Sequence, residues 1–535
     1  MRFLKLKSIF LIISPLILIT ILYHYDPFYL SFEKNVNRRL IKYFNFNPLK
    51  GINIIAHELD IRTFFSSKTK SPSQKDFVNI YVEDSLVVKY KEIKNSEKKT
   101  WDRAELKIYD SLYDVKIKLH GRHINHYLNN KFSYTIKIKP NNKSYFGMYK
   151  FKLIKSEEWD ARKLAINNLA NAEGLISSKG RLVILKINDK IVGEYALVEH
   201  HWSKSFLKNQ YNIDKFSVLR NASGLSSKAA LITGDWHRSE YDLEPEKIVN
   251  KSKKDPFFSK ALSHYSALSK MIKENKIDSI KQYFDIDYTA HFFAFQSLFN
   301  SFHFTNGDNL QLLFNHENKK FYFLYRQEHT IRELNNNKDN WRDCTFPNFN
   351  KILFNSMPFM QGSPHHKLYM KLLSNNEFRN KRDKYLNVLI NKSDSIKSYL
   401  ESFIDKSCVT TNYTREKSRR VEKIKKIKLL NNFEILVNIA SDYLNYSKIY
   451  ISWFRQKNII SVISDAFSQI NIKSLKLKCE DTLMNGIEFD NELSWKNNKY
   501  YFKLKNDSVF NPIELDIYNN VTGSKIDIEN FNVVR

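Results

Sequence analysis

Residues 115–121 read VKIKLHG, and this short stretch decides how the sequence around it is interpreted. Val115, Ile117 and Leu119 alternate with lysines and a histidine, which is the two-residue period of a strand with one buried face. The same alternation returns at residues 134–138, after a polar turn. The two stretches therefore predict neighbouring half-buried strands within a β-rich region that begins near Val78.

Further elements follow on both sides of these strands. Residues 157–173 predict a helix that ends at Gly174, because glycine commonly occupies the position after a helix. A hairpin is predicted from two apolar, β-branched runs, 181–187 and 191–198, that flank a polar turn. Later in the chain, helical patterns cover residues 257–273, 287–302 and 368–403, and a second hairpin pairs residues 310–314 with 321–325.

The order of these elements predicts the fold class and the division into domains. Strands with one inserted helix come first, and helices follow, which is the segregation of an α+β protein. The end of the chain returns to short apolar strands and predicts a small β-rich module. The predicted divisions are residues 1–25, 26–75, 76–430 and 431–535, corresponding to a membrane anchor, a stalk with a linker, the main domain and the C-terminal module.

Composition limits the class of partner. The 535 residues include 86 Lys and Arg against 57 Asp and Glu, which gives a net charge of +29. A field of this sign attracts anions, so an acidic protein or an acidic polysaccharide is an expected partner. No zinc-finger spacing, RNP-like motif or basic heptad region accompanies the charge, and no nucleic acid is expected as a partner. The three cysteines are far apart, which argues against a zinc site.

The N-terminus carries a candidate membrane segment. Residues 8–25 contain no Asp, Glu, Lys or Arg, and Arg2, Lys5 and Lys7 precede them. A helix needs about 20 residues to cross a bilayer, so this stretch is close to a full span. No small-residue cleavage pattern follows it. We therefore expect an uncleaved single-pass signal anchor with the body of the protein on the extracytoplasmic side; a cleaved signal peptide is the alternative.

Several pieces of the sequence resemble a known family. Residues 115–121 resemble the strand V-K-I-R-L-(K/R)-G of the spore-coat protein H (CotH) family, and residues 131–137, KFSYTIK, resemble its K-(K/W)-S-(F/Y)-R-(I/V)-K. Residues 182–199 resemble the paired strands of the family that end in N-G-x-x-x-G-x-Y-x-L-x-E. The positions that match are Asn188, Gly193, Tyr195, Leu197 and Glu199. The resemblance covers roughly residues 76–345 and looks like a divergent branch.

The resemblance implies an atypical, two-lobed protein-kinase-like core and ATP-dependent phosphorylation of proteins on serine, with Mg²⁺ or Mn²⁺. Phosphoryl transfer needs a cation on the phosphates, metal ions and a carboxylate that positions the attacking hydroxyl. By the family pattern, Lys131 directs positive charge towards the phosphates and Glu199 ends the strand near the hinge between the lobes. Asp308 matches the catalytic aspartate, and Asn315 matches a metal ligand.

The sequence departs from the family at two positions. Gln327 stands where active members have a metal-binding aspartate, and a neutral amide is a poor ligand for Mg²⁺. Glu328 can replace that aspartate only if the alignment shifts by one residue. Thr135 stands where the family has arginine. Two main functions therefore remain open: an ATP-dependent kinase at the membrane, or a catalytically decayed fold that binds an envelope partner and uses no cofactor. The aromatic and basic composition and the β-rich C-terminal module leave a glycan-directed role as a third alternative.

Overall fold

The structure is a computed structural model, and it describes the chain between residues 72 and 534. The segments outside the description are 1–71, 93–98, 109, 122–130, 140–143, 158, 201, 222–247, 251–254, 275, 302–310, 328–363, 374, 415–418, 446–448, 455–458, 465–469, 480–481, 486–498, 504–510, 527–529 and 535. The predicted anchor and linker lie within residues 1–71 and are therefore outside the described residues. Within the described part, every helix is too short or too polar to cross a bilayer.

The chain forms two compact units that are not continuous in sequence. Unit 1 comprises Met1–Asp214, Tyr325–Thr330 and Lys397–Asn431, and unit 2 comprises Lys215–Leu324, Ile331–Ile396 and Asn432–Arg535. The chain therefore leaves unit 1 and returns to it twice.

Unit 1 is built on a closed barrel of seven strands. The strands are β1 (Phe77–Tyr81), β2 (Asp102–Ile108), β3 (Ser111–Leu119), β4 (Tyr134–Ile138), β5 (Lys150–Lys155), β6 (Gly180–Ile187) and β7 (Lys190–Glu199). Their order around the barrel is β1-β2-β3-β4-β5-β7-β6, and the parallel pairing of β1 with β6 closes it. Val115, Ile117 and Leu119 point into the barrel and are buried, as their alternation predicts.

Three helices accompany the barrel in unit 1: α1 (Asp84–Glu92), α2 (Ala161–Ala172) and α3 (Lys204–Tyr211). The helix predicted at 157–173 is α2, and it begins later because the Asp160 carboxylate caps it, accepting from the amides of Arg162 and Lys163. Gly174 follows with a φ of +86°, a conformation that favours glycine. A methyl group at Gly180 would lie 2.7 Å from Leu164 Cδ2, which explains the glycine where α2 packs on β6.

Unit 2 contains a four-stranded sheet and a set of helices. The sheet has the order β11-β10-β8-β9, from β8 (Phe216–Asn221), β9 (Ile248–Asn250), β10 (Gln311–Asn315) and β11 (Lys320–Phe323). The helices are α4 (Phe258–Lys273), α5 (Ile286–Leu298), α6 (Pro364–Leu373) and α7 (Asn376–Asn391). The aromatic residues of α5 are core residues, and the Phe293 ring stacks on Tyr369 with 4.4 Å between centroids.

A charged pair is buried among the helices of unit 2. Arg382 and Asp383 both have fully buried side chains, and Arg382 Nε lies 2.8 Å from an Asp383 oxygen. The guanidinium also donates to the hydroxyl of Tyr369 at 3.0 Å and to that of Tyr443 at 2.9 Å. A buried charge is stable only when it is paired and hydrogen-bonded, and Asp383 and the two tyrosines supply these partners to Arg382. Because they lie on different elements, the network joins α6, α7 and the later helix that carries Tyr443.

Two long helices and a set of short strands complete the chain. The helices are α8 (Ser393–Thr414) and α9 (Arg419–Asn445). The strands are β12 (Ile449–Phe454), β13 (Ile459–Ser464), β14 (Ile470–Cys479), β15 (Thr482–Asn485), β16 (Lys499–Lys503), β17 (Asn511–Asn519), β18 (Lys525–Ile526) and β19 (Asn530–Val534). They form two four-stranded sheets, β16-β13-β12-β19 and β15-β14-β17-β18.

Helix α8 supplies two hydroxyl groups to the barrel of unit 1. Glu194 of β7 is fully buried, and one of its carboxylate oxygens accepts from Thr410 at 2.8 Å and from Thr411 at 2.6 Å. Hydrogen bonds of this kind compensate a carboxylate for the loss of water. The return of the chain to unit 1 is thus fixed by a specific polar contact.

Most of the observed helices and strands agree with those predicted from the sequence. The mixture of helices and strands and both hairpins are confirmed, with β6 paired to β7 and β10 paired to β11. The helical pattern predicted at 368–403 is confirmed, and the structure divides that range among α6, α7 and α8. The side chain of Asn375 caps α7 by accepting from the Phe378 amide at 2.9 Å, which starts a new helix there. The β-rich end begins at Ile449, since α9 continues to Asn445.

Candidate functional site

Lys131 lies just before β4 in unit 1, and its ammonium group is buried. Its side chain is 9% exposed, and Nζ lies 3.2 Å from Oε1 of Glu157. The ammonium also lies over the Tyr195 ring, 5.1 Å from the centroid. A buried cation requires a partner, and Glu157 and the ring supply one ionic and one cation–π interaction. Lys131 is therefore a positioned charge rather than a solvated surface lysine.

Glu157 was not singled out by the sequence, although it completes this pair. It follows the end of β5 by two residues and precedes the cap of α2, and its side chain is about half exposed at 51%. The sequence offered only its place at the predicted start of a helix, where acidic residues are common in any protein. The contact with Lys131 spans 26 positions, a separation that no local pattern reveals.

Glu199 is the last residue of β7 and lies opposite Phe151 of β5. The residue is 8% exposed, and its side chain makes no hydrogen bond or ion pair with another described residue. Burial raises the pKa of its carboxyl to about 7, and the positive charge of Lys179 opposes this only in part. Glu199 can therefore exchange a proton near neutral pH.

The pKa of Glu199 leads to a prediction about stability. Because the folded protein holds this proton more tightly than the unfolded chain, the free energy of unfolding falls as the pH rises from about 4.5 to about 7. Glu199→Gln is neutral throughout, so its stability relative to the wild type should increase across that range by on the order of 2 to 3 kcal/mol. Urea denaturation at pH 4 to 8 measures this difference. The exposed Glu105→Gln is the control and should show no such trend; a flat difference for Glu199→Gln would contradict the prediction.

Gln327 occupies the position matched to the metal-binding aspartate of the family. It is 1% exposed, and its side-chain oxygen accepts from the Tyr325 hydroxyl at 2.6 Å. Its backbone is held by Asn167 of α2, which accepts from the Gln327 amide at 3.0 Å and donates to the Gln327 carbonyl at 3.1 Å. The sequence did not single out Asn167, whose contact with Gln327 spans 160 positions.

Asn315 ends β10 in unit 2 and has a local structural role. It is 7% exposed, and its side-chain oxygen accepts from the Glu317 amide at 3.0 Å, which helps to turn the chain between β10 and β11. That oxygen is the atom that would bind a metal ion. Asp308 and Glu328, the remaining predicted site residues, lie outside the described residues.

The described residues do not by themselves form a binding site for Mg²⁺ or Mn²⁺. Among them, no three His, Cys, Asp or Glu side chains come together as metal ligands. The oxygens of Asn315 and Gln327 are engaged in hydrogen bonds within the fold. Of the five predicted residues, the structure describes three: Lys131 and Glu199, which lie in unit 1, and Asn315, which lies in unit 2.

Comparison with known proteins identifies the family. The family model described as CotH kinase protein matches residues 117–446, which is more than half of the chain and extends from β3 into the end of α9. No curated protein matches the chain in sequence. On the strength of the family match, the chain belongs to the CotH kinase family.

Proposed function

We propose that the protein is an ATP-dependent kinase of the CotH type that phosphorylates protein hydroxyl groups, with a two-lobed kinase-like core. The observation that carries the proposal is the buried Lys131–Glu157 pair, because a cation held in a fixed position is what phosphate binding requires. Residues 1–25 would anchor the chain in a membrane, with the body on the extracytoplasmic side. The family match to residues 117–446 supports the reaction class.

The reaction follows from the chemistry of phosphoryl transfer. The hydroxyl oxygen of the acceptor attacks the γ-phosphorus of ATP, and the bond from that phosphorus to the bridging oxygen of the β-phosphate breaks, which releases ADP. Asp308 would orient the hydroxyl and accept its proton. Lys131 would neutralise charge on the phosphates, while Glu157 holds the ammonium in place. Glu199 would contact the nucleotide at the end of β7.

Binding and transfer assays on the full chain test this function. We expect ATP to bind in the presence of Mg²⁺ or Mn²⁺ and Lys131→Gln to weaken binding by about tenfold or more, since one ion pair with phosphate is lost. Asp308→Ala should reduce transfer of labelled phosphate to protein by about a hundredfold or more. The control, Lys190→Gln, changes an exposed lysine of the β6–β7 turn and should leave both unchanged. Absence of nucleotide binding would overturn the proposal.

A second function is favoured by Gln327. Its side chain is buried and bonded to Tyr325, so the family's metal position is filled by a neutral group that serves the fold. On this reading the protein is a catalytically decayed member that binds an envelope partner. The same assays separate the two functions. A decayed member transfers no phosphate with either metal, and Asp308→Ala then leaves the measured phosphate transfer unchanged.

A further inference from the structure

The outer surface of the barrel carries a group of lysines that the proposed function does not use. The register places Lys116 opposite Lys137, and Lys137 opposite Lys150, on the neighbouring strands β3, β4 and β5. Lys118 lies two residues along β3 from Lys116 and therefore shares its face. These four residues point away from the barrel interior, because Ile117 and Ile136 between them are buried inside. We call Lys116, Lys118, Lys137 and Lys150 the lysine face.

The charges of the lysine face are not balanced by the fold. Among the described residues, no carboxylate forms an ion pair with any of the four. Asp114, which has the same orientation on β3, is already paired with Lys139 at 2.9 Å. Like charges on adjacent strands repel one another, and Lys118 and Lys150 are also half-buried. An anion from outside the chain would reduce both the repulsion between the lysines and the free-energy cost of partly burying their charges.

The ionisation of two of these lysines agrees with this geometry. Burial, together with repulsion from Lys118 and Lys137, lowers the pKa of Lys150 to about 8. Burial also lowers the pKa of Lys118. A bound anion would favour the charged form of each group and return these pKa values towards their ordinary range.

The shape and composition of the face indicate the kind of anion. Neighbouring strands lie about 4.8 Å apart, so the face extends roughly 10 Å from β3 to β5, which is wider than a single phosphate or carboxylate needs. Arg103 of β2 is exposed and lies opposite Lys116, so the positive surface continues onto a fourth strand. The lysines act as point charges that tolerate variable geometry. A polymer with repeated negative groups fits this pattern.

Tryptophan side chains border the lysines on two sides. Lys118 lies over the Trp101 ring at 4.6 Å, and Lys150 lies over the Trp202 ring at 5.0 Å. Trp101 is 38% exposed, so part of this large apolar ring faces solvent. An exposed indole beside cations can pack on the apolar face of a sugar while the cations bind its acidic groups.

From these observations we infer that the lysine face is a docking surface for an acidic polysaccharide. None of the four lysines is among the proposed phosphoryl-transfer residues, although Lys150 adjoins Phe151, which lies opposite Glu199. An acidic peptide backbone would pair with the lysines but would not cover the exposed part of the Trp101 ring, so the sugar polymer is the occupant that the charges and the ring together favour.

Binding of the full chain to polygalacturonate, which carries a carboxylate on each sugar, tests the inference, with its neutral methyl ester as the comparison. The triple variant Lys118→Gln, Lys137→Gln, Lys150→Gln should bind polygalacturonate about tenfold more weakly or worse. The control triple, Lys91→Gln, Lys190→Gln, Lys208→Gln, removes the same charge from exposed positions elsewhere and should bind within about twofold of the wild type. Trp101→Ala should weaken binding to the polysaccharide and not to polyglutamate.

The outcomes that overturn the inference are distinct. Equal losses in the two triple variants would mean that the net charge alone binds the polymer. If polyglutamate or single-stranded oligothymidylate binds as tightly as polygalacturonate, the occupant of the lysine face is an acidic peptide or a nucleic acid instead of a polysaccharide. Displacement of polygalacturonate by ATP would assign the lysines to the nucleotide instead. Far-UV circular dichroism of each variant separates a loss of binding from a loss of folding.

Discussion

Arg382→Met is expected to destabilise unit 2 by about 3 to 5 kcal/mol, the range measured when one member of a buried ion pair is removed. The substitution keeps most of the side-chain volume but leaves the Asp383 carboxylate buried without the guanidinium that lies 2.8 Å from it. Tyr369 and Tyr443 also lose the donors to their hydroxyl groups. The change in hydrogen-exchange protection of amides in α6 and α7 measures the effect within unit 2.

Two further variants test whether the buried ion pair causes this loss of stability. Lys384→Met alters an exposed position of the same helix and should change protection by less than about 0.5 kcal/mol. Adding Asp383→Asn to Arg382→Met removes the carboxylate charge that Arg382 balances and should recover part of the loss, because much of the cost of the single variant comes from the lost ion pair. A double variant as unstable as the sum of its parts would contradict this account.

Asn167→Leu is the second substitution with a large expected effect. The side chain of Asn167 makes four hydrogen bonds, two to the Gln327 backbone, one from the Ser177 hydroxyl at 3.2 Å and one to the Lys163 carbonyl at 2.8 Å. Leucine fills a similar volume but leaves the Gln327 amide and carbonyl buried without these partners. Each unsatisfied group costs about 1 to 3 kcal/mol, so we expect a loss of roughly 2 to 4 kcal/mol.

The effect of Asn167→Leu should be localised, and this distinguishes it from a general weakening of α2. The Gln327 amide should exchange with solvent much faster in this variant. Asn168→Leu is the matched control. The Asn168 side chain also makes two hydrogen bonds to a backbone, since it donates to the Gly180 carbonyl and accepts from the Gly180 amide. That variant should destabilise the contact of α2 with β6 and leave the protection of Gln327 unchanged. Equal exchange of the Gln327 amide in both variants would refute the specific role of Asn167.

The elements that the sequence predicted well are those whose signals are local. The alternation at residues 115–119 and at 134–138 identified β3 and β4, and the turn at Asn188 and Asp189 identified the β6–β7 hairpin, where both residues have positive φ. The barrel closure was not predictable in this way. It depends on the parallel pairing of Phe77 with Ile184, two residues that no short pattern connects.

The candidate site was predictable only where the family pattern supplied it. Lys131 and Glu199 were proposed from motif positions, but their burial and the raised pKa of Glu199 come from packing in three dimensions. Glu157 and Asn167 were missed because their functional contacts join distant parts of the chain. Gln327 was recognised as a departure from the family, and the structure adds what the sequence lacked, namely its hydrogen bond with Tyr325.

The contact of Glu194 with Thr410 and Thr411 has a consequence for the timing of folding during synthesis. The residues that supply the hydroxyls follow Glu194 by 216 and 217 positions. At about 5 to 20 residues per second, a ribosome needs roughly 10 to 40 seconds to make that length of chain. During this interval β7 has left the ribosome, but the hydroxyls of Thr410 and Thr411 do not yet exist to donate to its Glu194 carboxylate. The barrel can thus reach its final, dry state only after most of the protein has been translated.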